Sequence, residues 1–138
     1  MTKYAVMLLA QLLLSPPARA ADINSVLRSC STDTSTHVEE RECLTTDASE
    51  SSAALKSAEA AFLGHLSTLD QQPADRERAK AALAQSEKAF EEYREKQCEF
   101  FAVMAMGGNG ASDLRFACVT ALNNEQSEQL KWAAHNWQ

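Results

Sequence analysis

The sequence predicts an all-α fold, an antiparallel bundle of three helices braced by two disulfides. Two long stretches place apolar or small residues at steps of three and four, the period of a buried helix face. A proline and a glycine cluster separate the helical stretches, and no alternating run is long enough for a strand. Four cysteines, Cys30, Cys43, Cys98 and Cys118, all follow an N-terminal export signal, and an even count in such a chain reads as two crosslinks.

The signal is residues 1–20. Lys3 is its single leading charge, Tyr4–Leu14 is apolar apart from Gln11, and Ser15-Pro16-Pro17 breaks the run. Ala18-Arg19-Ala20 then places small residues where signal peptidase needs them, so cleavage is expected after Ala20. The apolar run is too short to span a bilayer, so no stable membrane insertion is expected after cleavage. The expected location is periplasmic or secreted. The remainder, residues 21–138, has the length of a single helical domain.

Within it, Ile23–Arg28 reads as no more than a turn of helix with a small apolar edge. Thr36 followed by Glu39 is a capping box and starts the first predicted helix. Its inner positions are Leu44, Ala48, Ser51, Leu55, Ala58, Phe62, Leu66 and Leu69, with a thin serine and alanine middle. Asp70-Gln71-Gln72-Pro73 ends it, and proline suits the first turn of the next helix. That second helix is predicted over 74–106, with the stripe Ala79, Leu83, Ser86, Phe90, Tyr93, Gln97, Phe100 and Met104. Gly107-Gly108-Asn109-Gly110 stops it, since glycine closes helices at little cost. Ser112 or Asp113 caps the third, whose inner face is Leu114, Cys118, Ala121, Leu122, Leu130 and Ala133; Trp137 near the terminus is a packing residue or an anchor for a partner.

The first hairpin turns near Gln72, and Cys43 and Cys98 each stand roughly 40 Å from it at 1.5 Å per residue. They share one end of the bundle. Cys98 and Cys118 flank the glycine loop at similar distances, so Cys98–Cys118 and Cys30–Cys43 form a pair of local bonds. Cys43–Cys98 with Cys30–Cys118 also fits the geometry. The local pairing is preferred because it closes short loops.

Without Lys3 and Arg19, 11 Lys and Arg remain against 19 Asp and Glu, a formal charge of about −8. This charge disfavours nucleic acid, whose phosphates call for cations, and favours a basic protein partner through complementary fields. The long cysteine spacings exclude a tight zinc motif, and no compact loop of oxygen ligands suits calcium. The glycine turn lacks the Lys-Ser/Thr ending of a phosphate loop, and no serine lies in a nucleophile elbow. His37, His65 and His135 are scattered. No cofactor, metal or enzymatic activity is expected.

Glu87, Glu91, Glu95 and Glu99 recur every four residues on one face of the second predicted helix. Lys88, Arg94 and Lys96 lie close enough to make this an ordinary solvated face. The functional reading of the same residues is a contact ridge for a basic protein. Phe90, Tyr93 and Arg94 admit a recognition cluster, since aromatic and arginine side chains dominate interface hot spots, but the stronger reading places Phe90 and Tyr93 on the core stripe and pairs Arg94 within the bundle.

Ala89-Phe90-x-x-Tyr93-Arg94-Glu95-x-x-Cys98 resembles the signature of the lysozyme-inhibitor LprI-like N-terminal domain family. The Gly107–Gly110 turn, Cys118-Val119, Leu122, and the opening Cys30 and Glu42-Cys43 resemble further family elements, so the likeness runs roughly from Cys30 to Leu130. Glu87 and Phe90 stand where the family usually has Gln and Trp. Leu55-Lys56-x-x-Glu59 lacks the asparagine and tyrosine of a family element, and Asn123 and Gln126 replace its threonine and arginine. The resemblance implies a small, exported, helical, disulfide-bonded protein. Lysozyme inhibition is attached to a named member. The expected function is therefore an exported binding protein that inhibits lysozyme or another cell-wall enzyme, with a non-enzymatic envelope adaptor as the alternative.

Overall fold

The computed structural model describes residues 22–136, all of it helices and short connections. The expected signal, residues 1–20, and Trp137 lie outside the described residues. Four helices follow in order: α1 (Ile23–Asp33), α2 (His37–Thr68), α3 (Pro73–Met104) and α4 (Gly110–Asn136). The all-α class and the antiparallel course of the three long helices agree with the sequence reading, but the helix count does not.

The additional helix is α1. Its N-cap is Asp22, whose side chain accepts from the Ser25 N–H at 3.0 Å. Ile23, Val26, Leu27 and Cys30 follow at steps of three, one and three, which puts them on one face. That face packs with Leu44 of α2 and Ala117 of α4. An isolated 11-residue helix is marginal in water, so α1 exists through this packing and the Cys30–Cys43 bond. Local pattern alone shows only its first turn.

The start of α2 is as expected. The Thr36 hydroxyl accepts from the Glu39 N–H at 3.2 Å, and the Glu39 carboxylate accepts from the Thr36 N–H at 3.0 Å and the Ser35 N–H at 2.9 Å. These bonds, Ser35 first, hold the Glu39 carboxyl below its ordinary value. Leu44, Ala48, Ser51, Leu55, Ala58, Phe62 and Leu66 are all buried along one seam. Leu69 is half-buried at the end of that seam.

The stripe expected on α3 faces the core in its first half, through Ala79, Leu83 and Phe90, and turns outward in its second. Leu83 and Cys98 are buried and Phe90 is half-buried, whereas Tyr93, Phe100 and Met104 are each more than half exposed. The Cys98–Cys118 bond explains the difference, because it fixes which way α3 faces. The inner line is Arg94, Cys98 and Phe101, one position away from Tyr93, Gln97 and Phe100. One position is a rotation of about 100° on an α-helix.

The last helix, α4, lies against all three others, while α2 and α3 touch each other little despite their shared turn. Its inner face includes Ala117, Cys118, Ala121, Leu122, Leu130 and Ala133. Leu114, expected there, is half-buried. Its first turn is tied to α2. The Arg41 Nε donates to Asp113 Oδ1 at 3.1 Å, and Arg41 Nη2 donates to the Asn109 carbonyl at 2.8 Å. His37 Nε2 lies 3.6 Å from the same carboxylate. Gly107 takes the left-handed backbone (φ 80°) that reverses the chain, and Met106 before it does so with φ 50°.

The cysteines pair as Cys30–Cys43 and Cys98–Cys118, and none is free. Both bonds sit toward the end of the bundle that carries the glycine turn.

Candidate functional site

The acidic residues of α3 do not form one free ridge. Arg115 of α4 donates to Glu95 Oε2 and to Glu99 Oε2, both at 2.6 Å, so two of the four carboxylates share one guanidinium. Glu87 is partly buried, and its Oε1 has no hydrogen-bond partner. Of the four, Glu91 alone is both exposed and outside any ion pair formed among the described residues.

Glu87 and Glu91 face Glu59 of α2. Burial, then the charges of Glu87 and Glu91, push the Glu59 carboxyl above its ordinary value, and burial followed by Glu91 does the same to Glu87. A raised folded-state value means that the folded chain holds protons more tightly than the unfolded one. Stability from these groups is therefore present at low pH and falls as pH rises through their raised values. Glu59→Gln/Glu87→Gln should raise the urea midpoint at pH 7, and the gain should shrink as pH falls below the ordinary glutamate range. A lower midpoint at pH 7 would show that these carboxylates stabilise the fold instead.

Arg94 points inward. Its Nη1 donates to Asn123 Oδ1 at 2.8 Å, and its guanidinium lies 5.7 Å from the Phe90 ring centroid. Asn123 is fully buried, and its Nδ2 donates to Ser51 Oγ at 3.2 Å and Ser52 Oγ at 3.0 Å. Four polar side chains thus join α2, α3 and α4 across the thin middle of the α2 seam. This makes Arg94 a structural member of the bundle rather than a surface contact. Nothing in the local sequence pattern marks Asn123 as its partner, since the two are 29 positions apart.

The feature missed by sequence reasoning lies on another flank of α3. Tyr93, Phe100, Val103 and Met104 fall within about a 100° arc of the helix and are each more than half exposed. Met106, at the glycine turn, extends this apolar surface. By helical angle, Tyr93, Phe100 and Met104 lie roughly opposite Glu91, Glu95 and Glu99. Adjacent Phe100 and Phe101 were the available signal, because two neighbouring aromatics cannot both face one core. Phe101 is the half-buried member.

Among the described residues, the grouping with metal-ligand proximity is Cys30, Cys43 and Asp47, and its two sulfurs are bonded to each other rather than available as thiolates.

The profile of the lysozyme inhibitor LprI family matches residues 28–130, most of the chain. The chain belongs to the lysozyme inhibitor LprI family. No curated protein and no solved structure matches it. The matched LprI segment contains all four cysteines, the capping box of α2, the glycine turn and the Arg94–Asn123 bond. The family name is that of an inhibitor, not of an enzyme. Among the described residues of this LprI chain, no helix is long and apolar enough to cross a membrane.

Proposed function

We propose that this chain is an exported binding protein that inhibits a lysozyme or a related cell-wall-cleaving enzyme. The family membership carries the reading, and the acidic balance of 19 Asp and Glu against 13 Lys and Arg supports it. A basic target is drawn in by the field of the whole molecule, so association is fast and salt-sensitive. Charge alone is unselective. The anchor is the exposed stripe of Tyr93, Phe100, Val103 and Met104, an aromatic and methionine surface of the kind that dominates binding energy once covered. Glu91, with Glu95 and Glu99 around Arg115, adds to the steering field on the other flank.

The test is lysozyme binding and lysis inhibition at low and physiological ionic strength. The mature protein should bind a basic lysozyme, and affinity should fall as salt rises. Phe100→Ala/Met104→Ala should weaken binding by about 30-fold or more, equivalent to a hot-spot loss of about 2 kcal/mol. Glu91→Gln/Glu95→Gln should chiefly slow association and flatten the salt dependence. Unchanged affinity in the apolar variant would move the contact face elsewhere. An absence of binding at low salt would leave the envelope-adaptor function as the better account.

A further inference from the structure

At the end of the bundle away from both disulfides, α2, α3 and α4 enclose an open cleft of about 800 Å³. This lies within the range of about 300–1,000 Å³ usual for small-ligand sites. Phe62 and Leu66 of α2, Leu83 of α3, and Leu130 and Ala133 of α4 contribute to its wall, and all five belong to the principal apolar core. Arg76 is the one cation in the lining. Its Nη1 donates to the carbonyl oxygens of Leu69 at 3.2 Å and Gln71 at 2.8 Å, which fixes the guanidinium at the rim. Among the described residues no carboxylate pairs with it. Asp75 also lines the cleft, and its carboxylate is held by Arg78 instead. A largely apolar hollow with one anchored guanidinium outside any ion pair matches a ligand that has a hydrocarbon body and an anionic end.

We propose that this cleft binds a free single-chain amphiphile bearing a carboxylate, a fatty acid in chemical class. The chain lies along the leucine and phenylalanine wall. The carboxylate accepts hydrogen bonds from the Arg76 nitrogens not used by the two carbonyls, a charge-assisted contact. This site is separate from the α3 stripe and does not depend on lysozyme binding.

Calorimetric titration of the mature, disulfide-bonded protein with dodecanoate, below its micelle-forming concentration, tests this. Dodecyltrimethylammonium is the comparison, with the same chain and the opposite charge. Dodecanoate should bind with one-to-one stoichiometry, at least about tenfold more tightly than the cation. Arg76→Gln should remove that preference, and Arg76→Lys should retain part of it. Ala79→Trp, which fills the cleft wall, should abolish binding of both while keeping a cooperative melt. Equal binding by wild type and Ala79→Trp would overturn the site, as would failure of dodecanoate to bind. Two other results would also overturn it. One is binding only to phosphatidylglycerol vesicles, which assigns the surface to membranes. The other is a concentration-dependent dimer that Ala79→Trp dissociates, which assigns the cleft to a second copy of the chain.

Discussion

A Cys98→Ala/Cys118→Ala variant should unfold with a free energy about 3 kcal/mol below that of the wild type, measured by urea denaturation. The bond closes a separation of 20 residues around the glycine turn, and cutting it frees the unfolded chain more than the folded one. Both sulfurs are fully buried against Leu122, so the alanines also leave a small packing defect. A second effect separates this bond from Cys30–Cys43. Because Cys98 fixes the rotation of α3, its loss should loosen the Arg115 contacts with Glu95 and Glu99. Loss of Cys30–Cys43 should instead release α1 while α2, α3 and α4 stay packed. Circular dichroism showing a small helix loss before the main transition would mark the latter variant. A midpoint unchanged by removal of Cys98 and Cys118 would show that apolar packing alone sets the α3–α4 contact.

Asn123→Ala should be at least as damaging, at about 3 kcal/mol or more. The side chain is fully buried and accepts from a charged donor, and bonds of that kind contribute about 1.5–3 kcal/mol each. Its removal strands the Arg94 Nη1 beside an Nε that already has no partner. It also removes the donor that the Ser51 and Ser52 hydroxyls receive. The informative comparison is Arg94→Met/Asn123→Leu, which replaces both partners with apolar side chains. This double variant should cost less than the two single changes added together, because neither group is left behind unpaired. Strict additivity would mean that the two residues act independently and that the buried bond carries little energy.

Much of this architecture was legible because its causes are local. The capping box at Thr36 and Glu39 needs four adjacent residues, and the seam from Leu44 to Leu66 needs only a helical period. The turn positions allow two disulfide pairings, and the preference for short loops picks the one that forms. The parts that escaped depend on distant residues. The helix α1 exists because Leu44 and Ala117 cover its apolar face, and no window around Ile23 contains them. The rotation of α3 depends on Cys118, so Tyr93 and Phe100 look like core residues until that bond is placed. For Arg94 the sequence favours a partner within the bundle over a surface hot spot, but it does not identify that partner as Asn123. The cleft is assembled from Phe62, Leu83 and Leu130, each of which reads from the sequence as an ordinary core leucine or phenylalanine. Acidic periodicity on α3 was real, but Arg115 from another helix decides which carboxylates are free.

The place of α4 bears on how the chain comes into being. It follows the other three helices in the chain and is their common support, whereas α2 and α3 have little hold on each other without it. A growing chain that ends before Gly110 therefore has only part of its core to collapse around, and its long helices have little to stabilise them. Commitment to the native state waits for the C-terminal segment. Elongation and folding are thereby separated in time, and the nascent chain stays loose until α4 joins the helices made before it.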